Sequence, residues 1–200
     1  MNIKLCIVSK KKERKKGFYQ AQYKDKTTKI QVLLHMCLQG VLLDKHKHKQ
    51  LQFGYNFWGR YKFWIDKDLI YISSRDSYLI NRYIEHKALA LSDYYSIDIK
   101  YDGEINYDKV INIINKQDTL NIETIENKIN ICFVKNNSQF KANTLFIASK
   151  KAVIYLNKKK FIIEPMHIYK LFADMELNVD NILYEDNSDI KGEIVAVSIE

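Results

Sequence analysis

Thr28 to Trp64 reads TKIQVLLHMCLQGVLLDKHKHKQLQFGYNFWGRYKFW and changes character twice. In its first part Ile30, Leu33, Leu34, Cys37 and Val41 recur at the i, i+3, i+4, i+7 spacing of one buried helix face, while Gln31, His35 and Gln39 mark the opposite face. The spacing predicts a helix that ends near Asp44. Lys45-His46-Lys47-His48-Lys49 offers no apolar stripe, so it reads as a loop or a ragged helix end. Beyond it Phe53, Tyr55 and Phe57, then Tyr61 and Phe63, alternate with small or polar residues, the period-2 pattern of strands.

Working outward, the 200 residues are 46% hydrophobic and 12% aromatic, enough for a packed core and against disorder. The formal net charge of +8 favours a polyanionic partner, although abundant Lys, Ile, Asn and Tyr would also follow from an AT-rich genome. Cys6, Cys37 and Cys132 are odd in number and scattered among apolar neighbours, as expected of buried thiols in a reducing cytoplasm, and lack the paired spacing of a zinc site. Leu5 to Val8 precedes the basic run, the reverse of a signal peptide, and Ile30 to Leu43 is too short to span a bilayer. The expectation is a soluble cytoplasmic protein without membrane contact.

Taken in order, Asn2 to Ser9 alternates as a strand, the Lys10 to Lys16 run is a charged loop, and Phe18 to Lys24 is a short strand. The predicted helix and the aromatic strands follow. Asp68 to Ser73 adds a strand, and Ser73-Ser74-Arg75-Asp76 resembles a capping box before Leu79, Ile80, Tyr83, Ile84 and Ala88 at helical spacing. Ser96 to Tyr101 closes the half at Asp102-Gly103. The order strand, helix, strand, strand, helix, strand predicts an α+β, ferredoxin-like (RRM-like, βαββαβ) domain over 1–103. A second, less regular unit of the same kind over 104–200 would contain helices at Tyr107 to Asn115 and Met166 to Met175, with strands at 128–134, 144–148, 152–156, 161–163 and 193–199.

The order of elements around LIYISSRDSYLINRYIEH, Leu69 to His86, with a His/Lys loop before an aromatic strand, resembles the N-terminal domain of the CRISPR precursor-RNA endoribonucleases of the RAMP superfamily. The likeness covers about half the chain and rests on hydrophobic alternation plus Ile72-Ser73-Ser74. The family's late glycine-rich loop is missing, since Gly192 is the only late glycine. The resemblance implies metal-independent cleavage of a structured RNA, leaving a 2′,3′-cyclic phosphate and a 5′-hydroxyl. It assigns catalysis to His46 or His48, Lys49, and Tyr19 or Tyr23. A non-catalytic RNA- or protein-binding module of a ribonucleoprotein or a defence or anti-defence system is the alternative.

The residues support that chemistry in kind. Cleavage needs a base, an acid and a cation for the phosphorane charge, and His46, His48, Lys47 and Lys49 supply all three types within four residues. In an extended loop the two histidines point to one side and the lysines to the other. RNA contacts would come from Lys10, Lys11, Lys12, Arg14, Lys15 and Lys16, from Lys45, Lys47 and Arg60, and from Lys150, Lys151, Lys158, Lys159 and Lys160. Each cluster equally fits a solvated turn. His35, His86 and His167 read as surface or structural side chains. No Walker loop, G-x-S-x-G or H-E-x-x-H is present, and the reading names no cofactor and no metal ligand.

Overall fold

The computed structural model describes residues 3–103, 113–114, 119–123, 128–173, 175–185 and 193–199, and every described element is a strand. The chain divides into two compact units. The first comprises Lys11–Gln117 and Thr124–Glu126. The second comprises Met1–Lys10, Asp118–Glu123 and Asn127–Glu200. The first ten residues thus join the C-terminal unit, whereas a boundary at residue 103 groups them with the N-terminal half.

In the first unit a seven-stranded antiparallel sheet runs in the order Ile113–Ile114, Ser77–Ile80, Leu51–Trp58, Tyr94–Tyr101, Ile30–Cys37, Phe18–Asp25, Lys12–Lys15. A four-stranded sheet runs Leu42–His46, His86–Ala90, Tyr61–Ile65, Asp68–Ile72. The aromatic alternation is as expected: Tyr61, Phe63 and Ile65 are buried between half-exposed Lys62 and Trp64. Gly59 turns the chain between the two aromatic strands with φ +86°, where a Cβ would lie 2.1 Å from the Asp93 carbonyl oxygen.

The ferredoxin-like expectation is overturned. Ile30–Cys37 is a central strand hydrogen-bonded to Phe18–Asp25 on one side and Tyr94–Tyr101 on the other. The run then turns at Gly40 and returns as the strand Leu42–His46. Between two neighbours, with successive residues buried on both faces, apolar side chains need no period of 2, and the run mimics a helix. The second expected helix resolves into the strands Ser77–Ile80 and His86–Ala90 joined by a turn. The Ser73 amide does donate to the Asp76 carboxylate at 2.7 Å, the back-bond of a capping box, but it closes a turn and no helix follows. Met166 to Met175 contains the strand His167–Ala173, and most of the helix expected at Tyr107 to Asn115 lies outside the described residues.

The second unit also has two sheets. One, of six strands, runs Ile3–Lys10, His167–Ala173, Leu145–Ala148, Ile194–Ile199, Lys128–Phe133, Thr119–Glu123; the other, of four, runs Gln139–Phe140, Leu177–Tyr184, Ala152–Leu156, Lys159–Ile163. Its core gathers Phe146, Ile154, Leu156, Leu171 and Val179, each at 0% exposure. Fully burying such side chains contributes about 1.5–3 kcal/mol each. Asn157 and Lys158, at φ 45° and 64°, form the tight hairpin turn before Lys159–Ile163, a backbone reason for their position. Among the described residues no helix is long and apolar enough to cross a membrane.

Candidate functional site

The two sheets of the first unit enclose a cavity of about 330 Å³. Antiparallel register brings distant histidines to it. His86 lies directly opposite His46 on the neighbouring strand, and His48 follows two residues beyond that strand's end. The loop carrying His48 is fixed by the Tyr83 amide donating to the His48 carbonyl at 2.8 Å and by Arg82 Nη1 donating to the Lys49 carbonyl at 2.9 Å. The ring centroids stand 4.3 Å apart for His46–His86, 5.0 Å for His48–His86 and 6.3 Å for His46–His48.

Hydrogen bonds decide the tautomers. Nδ1 of His46 faces the Asp44 carbonyl at 2.8 Å, Nδ1 of His48 the Gln50 carbonyl at 2.8 Å, and Nδ1 of His86 the Ile84 carbonyl at 2.9 Å. A carbonyl only accepts, so each Nδ1 carries a proton, and in the neutral ring Nε2 is the atom left with a lone pair. Burial pushes His48 below its ordinary pKa, helped by the charge of Lys100, and pushes His86 down to about 4. Both rings therefore stay neutral near pH 7. Among the described residues, His86 Nε2 is buried without a hydrogen-bond partner. His48 Nε2 lies 2.6 Å from Gln52 Oε1, a repulsive meeting of two acceptors unless the amide is turned or a cation is shared.

Nitrogen–metal bonds of about 2.1 Å put imidazole centroids bound to one ion about 4.5–5.2 Å apart at angles of about 90–110°. The His48–His86 separation of 5.0 Å falls in that range and the His46–His86 separation of 4.3 Å just below it, while His46 and His48, at 6.3 Å, stand too far apart and would have to close on an ion. Among the described residues no three or more His, Cys, Asp or Glu side chains already stand as a metal-binding set, and His48 Nε2 is turned onto Gln52.

A second polar array crosses the cavity wall. Arg14 Nε donates to Gln20 Oε1 at 3.2 Å, so the Gln20 amide nitrogen donates to His35 Nε2 at 2.9 Å, and His35 Nδ1 then faces Asp98 Oδ2 at 3.2 Å. Tyr78 donates its hydroxyl to Asp98 Oδ1 at 2.7 Å. Burial pushes the Asp98 carboxyl up, but His35, Tyr78 and Lys100 more than reverse this and hold it below the usual carboxylate range. Gly54 makes the contact possible, because a Cβ there would lie 1.9 Å from the Tyr78 ring.

Of the residues assigned to catalysis, only His46 and His48 share this cluster. Lys49 pairs with Asp102 at 2.8 Å, which raises its pKa through that hydrogen bond and charge. Tyr23 reaches Asp25 at 3.4 Å on the strand Phe18–Asp25, and Tyr19 lies beneath the Lys11 ammonium. His86, read from sequence as structural, is the member that reading missed. Its signal was weak: a histidine opening an alternating segment, His86, Ala88, Ala90, whose partner is 40 residues earlier.

The expected RNA-contacting cations fall into local roles in their own units. Lys12 to Lys15 form an exposed strand, from which Arg14 and Lys15 border the cavity, and Lys45 pairs with Glu85. In the second unit Lys151 lies 3.8 Å from Glu164 and 3.9 Å from Glu185, and Lys159 Nζ donates to the Ile3 carbonyl at 2.8 Å. Lys10 ends the edge strand Ile3–Lys10, opposite His167 in the backbone register. Lys16 and Lys47 are exposed, as are Arg60 and Lys160.

No family model matches the chain, and no curated protein matches it. Solved structures do. The chain is similar to the bacterial pirin YhhW from Escherichia coli, in complex with nickel(II), at 9% identity over 98% of both chains with a TM-score of 0.67. It is similar to AerE from Microcystis aeruginosa at 12% identity over 97% of this chain and 98% of that one, TM-score 0.65. A cupin 2 conserved barrel domain protein from Leptotrichia buccalis matches at 12% identity over 94% and 91%, TM-score 0.56. These likenesses establish a cupin-like all-β fold. They overturn the RAMP resemblance, and with it the CRISPR-type endoribonuclease reading, which depended on a fold the chain does not have.

Proposed function

We propose that the first unit is a cupin-type chamber in which His46, His48 and His86 hold a divalent transition metal beside the Gln52 amide oxygen, and that the protein is a metal-dependent enzyme acting on a small organic molecule bound against that ion. The observation that carries this reading is the common orientation: three Nδ1 atoms tied to backbone carbonyls turn the Nε2 atoms of His46, His48 and His86 away from those carbonyls, and burial holds His48 and His86 below their ordinary pKa. Metal-ligating histidines are held in this way, and imidazole donors suit zinc, nickel, copper or iron. The nickel(II) named for the pirin and the Mn(II) centres named for Bacillus subtilis oxalate decarboxylase, TM-score 0.57, support the same direction.

When bound, such an ion supplies Lewis acidity toward a ligand oxygen. The chain's own residues do the rest. The strand pairing of His46 with His86 fixes the spacing of two donors, and the clamp from Arg82 and Tyr83 holds the loop of the third. Phe63, Tyr61 and Tyr94 border the cavity with apolar faces that thin out water. The aspartate array keeps the opposite wall rigid. Free Cys6, Cys37 and Cys132 support work in a reducing cytoplasm; burial pushes the Cys37 thiol up to about 11, so it is no nucleophile at neutral pH.

The test is titration of metal-stripped protein with nickel(II), zinc(II) and manganese(II) by calorimetry at pH 7.5. One ion per chain is expected, lost in His86→Ala and in the double variant His46→Ala, His48→Ala. Equal uptake by wild type and the double variant would reject the site.

A further inference from the structure

The charges bordering the cavity are unequally matched. Arg14 is engaged by Gln20, Lys15 by the Leu42 carbonyl at 2.6 Å and Asp44 at 3.2 Å, and Lys87 lies 4.6 Å from the centroid of the Trp64 ring. Both acids are also occupied, Asp44 by Lys15 and Asp98 by His35 and Tyr78. Lys100 differs. It borders the same cavity, and among the described residues it enters no ion pair or side-chain hydrogen bond; Asp98 acts on it through charge alone.

Strand register explains where its ammonium is delivered. Ser96, Asp98 and Lys100 occupy alternate positions of Tyr94–Tyr101, so they share one sheet face, and all three border the cavity. Lys100 pairs across the strands with Gln52, the residue that touches His48, and its charge is felt by His48. This half-buried cation beside His48, His86 and aromatic walls touches no counter-ion, because Asp98, the carboxylate that acts on it through charge, is already bonded to His35 and Tyr78. An anion of the right size supplies it, since a partly desolvated charge is costly until paired.

We propose that Lys100 is the anion anchor of this chamber and that the natural ligand is a small organic carboxylate, its carboxylate on the Lys100 ammonium and its apolar body against Phe63 and Tyr94. The inference deepens the proposed function by naming the ligand class, and it rests on that reading only for the idea that the cavity takes a small molecule. The lysine's role does not require the metal.

The test compares two probes of the same shape, benzoate and neutral benzamide, by calorimetry on wild type, Lys100→Met and Lys100→Gln, each with nickel and after chelation. A circular dichroism melt establishes that the variants fold. Wild type is expected to bind benzoate about tenfold or more tightly over benzamide, the scale of one charge-assisted hydrogen bond, with and without metal. In the folded Lys100 variants that preference falls to about twofold or less by the same reasoning. No benzoate binding at millimolar concentration, or a preference that the variants keep, overturns the inference. A preference that vanishes with the metal also overturns it, because the carboxylate is then on the ion. A protein that takes up no nickel yet keeps a Lys100-dependent preference leaves the anchor standing and rejects the metal reading.

Discussion

Both units stack a four-stranded sheet with a longer one, yet their interiors differ in kind. In the first unit His35, Gln52, Asn56, Asp76, His86 and Asp98 are all buried; in the second, Thr144 is the one buried polar side chain among the described residues. An unpaired buried polar group costs about 1–3 kcal/mol. The first unit accepts that risk through hydrogen bonds that satisfy most of these groups and leave Asn56 Oδ1 and His86 Nε2 open, whereas the second spends its interior on packing. The same architecture thus supports a polar-lined chamber in one case and, among the described residues, an almost wholly apolar core in the other.

The sharpest break of that contrast is Phe146→Ala. Phe146 is at 0% exposure and stacks edge-on to Phe140 at 5.1 Å, so denaturant unfolding should show a loss of about 3–5 kcal/mol in the second unit. Metal uptake by the first unit should survive at temperatures where the variant remains folded.

Acid should act on the first unit instead. His86 is pushed from 6.5 down to about 4 by burial, so as pH falls the unfolded chain takes up its proton first. The stability supplied by neutral His86 is whole above about pH 6.5 and gone below about pH 4, with an upper limit of about 3 kcal/mol. Denaturant midpoints of metal-free wild type across that window should fall, and those of His86→Phe should fall less. Equal slopes would remove the buried histidine from the account.

Tyr78→Phe should cost about 1–3 kcal/mol, because it deletes the hydroxyl donor to a buried carboxylate while keeping the ring over Gly54. Thermal melting measures this. At the small end, Lys160→Ala lies on an exposed hairpin and should change stability by less than about 0.5 kcal/mol. A larger change would mean that the charge run of the second unit has a structural role.

Much of the strand content was readable, and the errors have physical causes. Phe53, Tyr55, Phe57, Tyr61 and Phe63 alternate, and their strands formed where expected. Ile30 to Cys37 misled because a central strand buried on both faces loses its period, and its accidental i, i+3, i+4 pattern matched a helix. Gly40, at φ +80°, was the local sign of a turn inside that supposed helix. His46 and His48 stood out through side-chain chemistry alone, before any fold was known. His86 did not, because only the register of two strands distant in sequence shows that it faces His46.

The second unit is also discontinuous in the chain, and this has a consequence for its birth on the ribosome. Ile3 pairs with Ala173 and Leu5 with Leu171, so this strand finds its neighbour only after about 170 further residues have been made. At ~5–20 residues per second that interval lasts about 10–30 s. Throughout it, Leu5, Cys6 and Ile7 lack their strand partner while Lys11–Gln117 emerges and has time to fold. The basic run that follows, Lys10 to Lys16, gives that waiting segment a strongly charged neighbour, which discourages premature pairing with other nascent chains.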